Sequence, residues 1–160
     1  MKDLSGLFEH FLRDIYYAEK QVLKTLPKMA RKATDSDLKA AFEEHEEETE
    51  EQIENLKKVF ESLGLKVKGV TCEAIEGILE EGSEIMDETD EGTARDAGMI
   101  AAAQAVEHYE ITRYGTLVAW AKELGHPEVA DLLGRNLKQE YAADEKLSKL
   151  GKTEINKDAA

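Results

Sequence analysis

Cysteine and proline are scarce in this chain, with one Cys at position 72 and two Pro in 160 residues. A lone cysteine cannot close an internal disulfide or supply a paired-cysteine metal motif. None of the 11 glycines sits in a phosphate-cradling loop or a Walker motif. Basic residues are outnumbered, 21 against 35 acidic, for a net charge of −14 and a pI near 4.7. Nucleic acid demands clustered Lys and Arg to displace its counterions, so no nucleic-acid partner is expected. No apolar run approaches the roughly 18 residues of a membrane helix, and Met1 opens no basic-then-apolar leader. No membrane association is expected, and the chain reads as cytoplasmic.

What is present is helical. The hydrophobic fraction of 41% suffices for one core, and 35% charged residues with so few turn-formers suit an all-α domain spanning 1–160. Leu4, Leu7, Phe8, Phe11, Leu12, Ile15, Val22, Leu23, Leu26 and Met29 recur at three- and four-residue steps, which predicts a helix over 4–33 with a kink or early stop at Pro27. Asp35 and its neighbours can cap a second helix that ends at Gly64. A short helix is expected over 72–86, a fourth over 94–124, and a fifth over 128–150 beyond the Gly125–His126–Pro127 stop, with a frayed tail from 151. Two hairpins joined by about thirty residues predict a four-helix bundle with one long crossover carrying an additional short helix.

Every long helix places a carboxylate on its apolar stripe. They are Glu19 on the first, Glu48 on the second, Glu107 and Glu110 on the fourth, and Glu140 and Asp144 on the fifth. Residues equally far from a hairpin turn lie level. The midpoint of 19 and 48 falls between Ala33 and Thr34, and those of 110 with 140 and 107 with 144 fall at Gly125 and His126. Six carboxylates converging in a dry core would repel one another unless cations sat among them. Oxygen-rich ligation favours two iron ions, with manganese as the alternative and zinc as a less specific occupant.

The stretches DIYYAEKQVLKTLPKM around Glu19, FEEHEEETEEQIENL around Glu48, CEAIEGILEEGSEI in the crossover and AAQAVEHYEITRYGTL around Glu107 and Glu110 resemble the YciE/YciF ferroxidase-like family of bacterial stress-associated proteins. The resemblance covers about residues 4 to 150 and implies a ferritin-like bundle, a homodimer and a rubrerythrin-like di-iron centre. Carried over position by position, it implies metal ligands at Glu19, Glu48, Glu107, Glu110 and Glu140. Where such sites have Glu-x-x-x-His on the last helix, this chain has Glu140 and Asp144. A carboxylate, Asp144, thus replaces the imidazole as a candidate ligand there; their Glu-x-x-His on the second helix is missing too, and His45 instead precedes Glu48 by one turn as a further candidate ligand. Gln52, in the same four-residue step from Glu48 as Asp144 from Glu140, marks the position of a lost or weak ligand.

Plainer roles stand beside these. Glu110 and Glu140 could pair with Arg113 or Lys138, Asp144 could accept a hydrogen bond from a tyrosine, and His45 could be a buried histidine bonded to a carboxylate. His108 points about 100° away from Glu107 and reads as a surface or supporting residue, and His10 and His126 read as structural or exposed. Tyr16 and Tyr114, one turn from Glu19 and Glu110, either line the site or simply pack. The leading expectation is a stress-associated ferroxidase or oxygen- or peroxide-reducing oxidoreductase. Its partners would be ferrous iron and dioxygen or peroxide, with Glu110 and Glu140 as the catalytic, bridging ligands. The alternatives are dimanganese peroxide dismutation and a non-enzymatic helical stress protein with a vestigial or zinc-filled site.

Overall fold

A computed structural model describes residues 1–160 and contains helices and no strand. Helix α1 spans Leu4–Lys32 and starts where the Asp3 carboxylate accepts a hydrogen bond from the Gly6 amide at 2.9 Å. It runs straight through the position where an early stop was one expectation. Pro27 removes one donor, but the last turn is closed by the Ala33 amide donating to the Met29 carbonyl at 3.0 Å. Helix α2 spans Ser36–Ser62, with Asp35 capping the amides of Asp37 and Leu38.

Helices α2 and α4 end on the same device. Gly64 takes φ +66°, which lets its own amide reach the Glu61 carbonyl at 3.0 Å and the Leu65 amide reach Phe60 at 2.9 Å. Gly125 takes φ +76° and repeats the pattern onto Lys122 and Ala121, ending α4, Thr93–Glu123. Pro127 then opens α5, Pro127–Leu150, at the first-turn position where its missing N–H costs nothing.

The crossover carries α3, Glu73–Glu88, which lies against α4 at a very close approach. A Cβ on Gly98 would fall 2.6 Å from the Ile85 methyl, so only glycine fits there. Helix α1 packs on α2 and α4, and α5 packs on α4 and α2, with neighbours antiparallel. Cross-links at opposite ends give the directions: Asp14 of α1 meets Tyr109 and Arg113 of α4, and the Thr34 and Asp35 amides meet Asp96. The result is the expected all-α, ferritin-like four-helix bundle with one long crossover. One continuous core runs through it, with Leu12, Ile15, Leu56, Leu117 and Leu133 fully buried. Each such side chain contributes about 1.5–3 kcal/mol.

The tail does not fray. Gly151–Ile155 form a π-helical turn and α6, Asn156–Asp158, follows, with Ile155 buried and Thr93 donating to the Asp158 carbonyl at 3.1 Å. The single apolar anchor Ile155 folds the segment back onto the start of α4, which helix periodicity up to 150 could not convey.

Candidate metal centre

Halfway along the bundle the stripe of apolar side chains is interrupted on all four long helices. Glu19, Glu107, Glu110 and Glu140 are buried to within 1% of full coverage, and His45 joins them from α2. Ligand atoms of His45, Glu107, Glu110 and Glu140 lie within 4.8 Å of one another, so this group could hold a metal ion. No lysine or arginine neutralises it: Arg113 instead pairs with Asp14 at 3.3 Å and stacks over Phe11, and Lys138 is exposed. The only basic side chain in the cluster is the His45 imidazole, with Nε2 3.1 Å from Glu107 and Nδ1 3.5 Å from Glu48.

Each carboxylate is held from outside and left free inside. Tyr114 donates to Glu19 Oε1, and Gln52 donates to Glu140 Oε1. The other oxygens, Glu19 Oε2 and Glu140 Oε2, have no hydrogen-bond partner, nor does Glu107 Oε2. For Glu110 neither oxygen has one. Tyr114 is itself fixed by Asn136, whose amide donates to the phenolic oxygen at 3.1 Å and to the Gln52 carbonyl at 3.2 Å. Asn55 completes the brace by donating to Asn136 at 2.9 Å. Such outer hydrogen bonds aim ligand oxygens and are characteristic of metal sites.

Electrostatics follow from burial. Desolvation pushes the Glu19 carboxyl up from 4.5 to about 7, partly offset by the Tyr114 hydrogen bond. Glu110 and Glu140 are pushed well above the usual carboxylate range, first by desolvation and then by the negative charge of their neighbours. Burial alone would raise Glu107 and depress His45, but the two charges face each other: Glu107 ends lowered and His45 well above its ordinary value. Without cations the site is therefore a reservoir of protons and one imidazolium–carboxylate pair.

Of the residues expected in the site, Glu19, His45, Glu107, Glu110 and Glu140 come together. Glu48 stands at the rim, its side chain 29% exposed and facing His45. Asp144 is not brought into the cluster. It accepts a hydrogen bond from the Gln104 amide at 2.9 Å and faces the exposed His108 at 3.1 Å, rather than a tyrosine. Tyr114 lines the site, whereas Tyr16 packs edge-on against Phe60. Gln52 occupies a ligand-like position but serves as a donor, and Asn55 and Asn136 are supporting residues that the carboxylate pattern does not mark. The signal for Asn136 was its place one turn before Glu140 on the same apolar stripe.

Comparison with known proteins agrees with this architecture. The family profile DUF892, described as a domain of unknown function, matches residues 3–160. Protein YciF of Escherichia coli (strain K12) is 46% identical over 160 residues, covering 99% of this chain and 96% of that protein. The crystal structure of that E. coli stress protein superposes with a TM-score of 0.93, covering 98% of this chain and 99% of the other. YcfI from Rhodopseudomonas palustris, provisionally described as a structural protein, is 51% identical with a TM-score of 0.89, covering 92% and 94%.

Proposed function

The chain belongs to the DUF892 family, and from that premise we propose that it is a stress-associated di-iron carboxylate protein that oxidises ferrous ion at the expense of dioxygen or peroxide. One observation carries the reading: Glu110 is fully buried and both its carboxylate oxygens lack any partner. Burying a carboxylate without a compensating group costs several kcal/mol, which a bound cation offsets. Four buried glutamates carry four negative charges when ionised, and two divalent ions balance them. One imidazole among carboxylate oxygens suits iron or manganese better than a thiolate-seeking metal.

In this reading Glu19, His45, Glu107, Glu110 and Glu140 would hold the metals, with Glu110 and Glu140 as the central pair of the group, and Glu48 would supply a further oxygen from the rim. Iron bound there would supply one-electron transfer to the oxidant. Tyr114 and Gln52 each hold one oxygen of their carboxylate and so turn the other inward. As a ligand His45 would be neutral, using one ring nitrogen for the metal and keeping its proton on the other; Nδ1, which faces Glu48 at 3.5 Å, is placed to keep it. Asp144, paired with His108, lies outside this ligand set.

The test is anaerobic loading of metal-depleted protein with ferrous ion, followed by exposure to dioxygen or peroxide. Wild type is expected to bind two irons per chain and oxidise them faster than buffer, and Glu110→Ala to lose both. Equal oxidation by the variant would sink the reading. Oxygen evolution from peroxide by manganese-loaded protein would favour the dimanganese alternative. Sedimentation of the same samples reads the homodimer that belongs to this proposal.

A further inference from the structure

Beside the carboxylate cluster the core contains a cavity of ≈ 110 Å³ lined mainly by hydrophobic side chains. Small residues make the space. Ala41 on α2 and Ala103 on α4 are buried where larger aliphatic side chains would fill it, and half-buried Ala143 on α5 borders it. Val22 and Leu26 of α1 and Leu79 of α3 form the far wall. The inner wall is polar, formed by His45 and Glu107, with Glu48 at its edge. At the outer end, exposed Glu44 and Lys146 form an ion pair across the seam between α2 and α5, beside exposed Ala142.

Four α-helices packed by interdigitated side chains leave few voids larger than a water molecule. A void of this size loses packing contacts along its aliphatic walls, yet it adjoins the one chemically loaded region of the bundle. Water needs two to four polar partners to occupy such a space, and these are confined to Thr25, His45, Glu48 and Glu107, with Glu44 and Lys146 at the outer end, while the other 11 of the 17 lining residues are hydrophobic. An apolar cavity of roughly 150 Å³ in another protein stays dry and takes up benzene, so a slightly smaller one suits a ligand of that size or less. Charged or strongly hydrated molecules would lose their hydration shell without replacement.

We propose that this cavity is a binding site for one small uncharged apolar organic molecule, no larger than a benzene ring or a short alkyl chain, seated against the His45–Glu107 wall. The proposal deepens the functional reading by naming a ligand class beside the metal site. It rests on that reading only for the metal, because the apolar walls are complete without one.

The test uses the full-length, metal-free protein, titrated with benzene and separately with 1-butanol, and with glycerol as the hydrated control. Saturable one-to-one binding of benzene or butanol is expected, with a rise in melting temperature. The ¹⁵N resonances of the His45 ring should shift while those of His10 and His126 stay still. Ala103→Leu fills the cavity and should weaken binding at least tenfold, and Ala41→Val is the gentler filling variant if the first fails to fold. Absence of saturable binding up to the solubility of both probes would overturn the proposal. Undiminished binding in a folded, filled variant, or shifts at His10 or His126 rather than His45, would do the same. Protein that takes up benzene but no iron leaves this site standing and removes the di-iron reading, while the reverse result removes only the cavity proposal.

Discussion

Asp96 and Glu110 are acidic residues of the same helix, both fully buried, and the protein treats them in opposite ways. The Asp96 carboxylate receives the Thr34 amide at 2.9 Å on one oxygen and the Asp35 amide at 2.8 Å on the other. It ties the α1–α2 turn to the start of α4, and its position in the first turn suits the positive end of the helix dipole. Glu110 sits mid-helix, where the dipole gives no such help, and receives nothing on either oxygen. Burial is thus common to both, and hydrogen-bond closure separates them. A carboxylate whose partners are all present is a structural tie, and one left open on both oxygens is a place for something else.

The sharpest way to break that contrast is to remove both groups and compare signs. Glu110→Met keeps the length and unbranched shape of the side chain while deleting the unsatisfied oxygens. Iron affinity is expected to fall more than about 100-fold, beyond the usual loss on removing an outer-shell partner. The metal-free variant is expected to gain about 1–2 kcal/mol, because an uncompensated buried acid gives way to an apolar group. Asp96→Ala should go the other way, losing about 2–3 kcal/mol by removing two partly buried hydrogen bonds to a charged group, with iron binding unchanged. Urea denaturation with and without iron reads both variants. Stabilities moving in the same direction would erase the distinction between tie and ligand.

A pH series sharpens it without mutation. Glu19 titrates near 7 in the folded chain against an ordinary 4.5, and Glu110 and Glu140 are raised as well. A raised acid binds its proton more tightly when folded. Its stabilising contribution is complete below about pH 4.5 and is lost as pH climbs through 7. The metal-free protein should therefore melt lower at pH 8 than at pH 5.5, and saturating iron should shrink or reverse the difference, because metal replaces protons on the same oxygens. A metal-free melting temperature flat across this interval would mean the glutamates are not desolvated as a group.

Much of this was legible in the sequence, and the misses have a geometric cause. Helix periodicity and turn midpoints located the level of the site, and Glu19, Glu107, Glu110 and Glu140 meet there. Equal depth does not fix azimuth, however. At about 100° per residue Asp144 is rotated some 40° from Glu140, enough to turn it into the α4–α5 seam toward Gln104 and His108. Glu48 is rotated about 60° from His45, which carries it from the bundle axis to the rim. The reversed order of His45 and Glu48 thus decides which of the two enters the core. Asn55 and Asn136 were passed over because a neutral amide on an apolar stripe carries no charge to explain, although their hydrogen bonds set the posture of Tyr114.

That brace permits the smallest intervention on the contrast between closed and open oxygens. Tyr114→Phe deletes the one donor on Glu19 and leaves both its oxygens open, as those of Glu110 are. The ring still fills its place in the core, so stability should fall by about 1–2 kcal/mol, the cost of leaving the buried Glu19 oxygen without its donor. The hydrogen bond holds the Glu19 pKa down. Its loss should move that titration above 7, and the pH-dependent drop in stability should move upward with it. Asn136 is then left with a donor that has lost one of its two acceptors, the Gln52 carbonyl remaining. Iron should still bind, but about 10- to 100-fold more weakly, because the inward Glu19 oxygen is no longer aimed. An unchanged Glu19 titration, followed by the carboxyl ¹³C resonance, would mean that Tyr114 packs beside the site without orienting it.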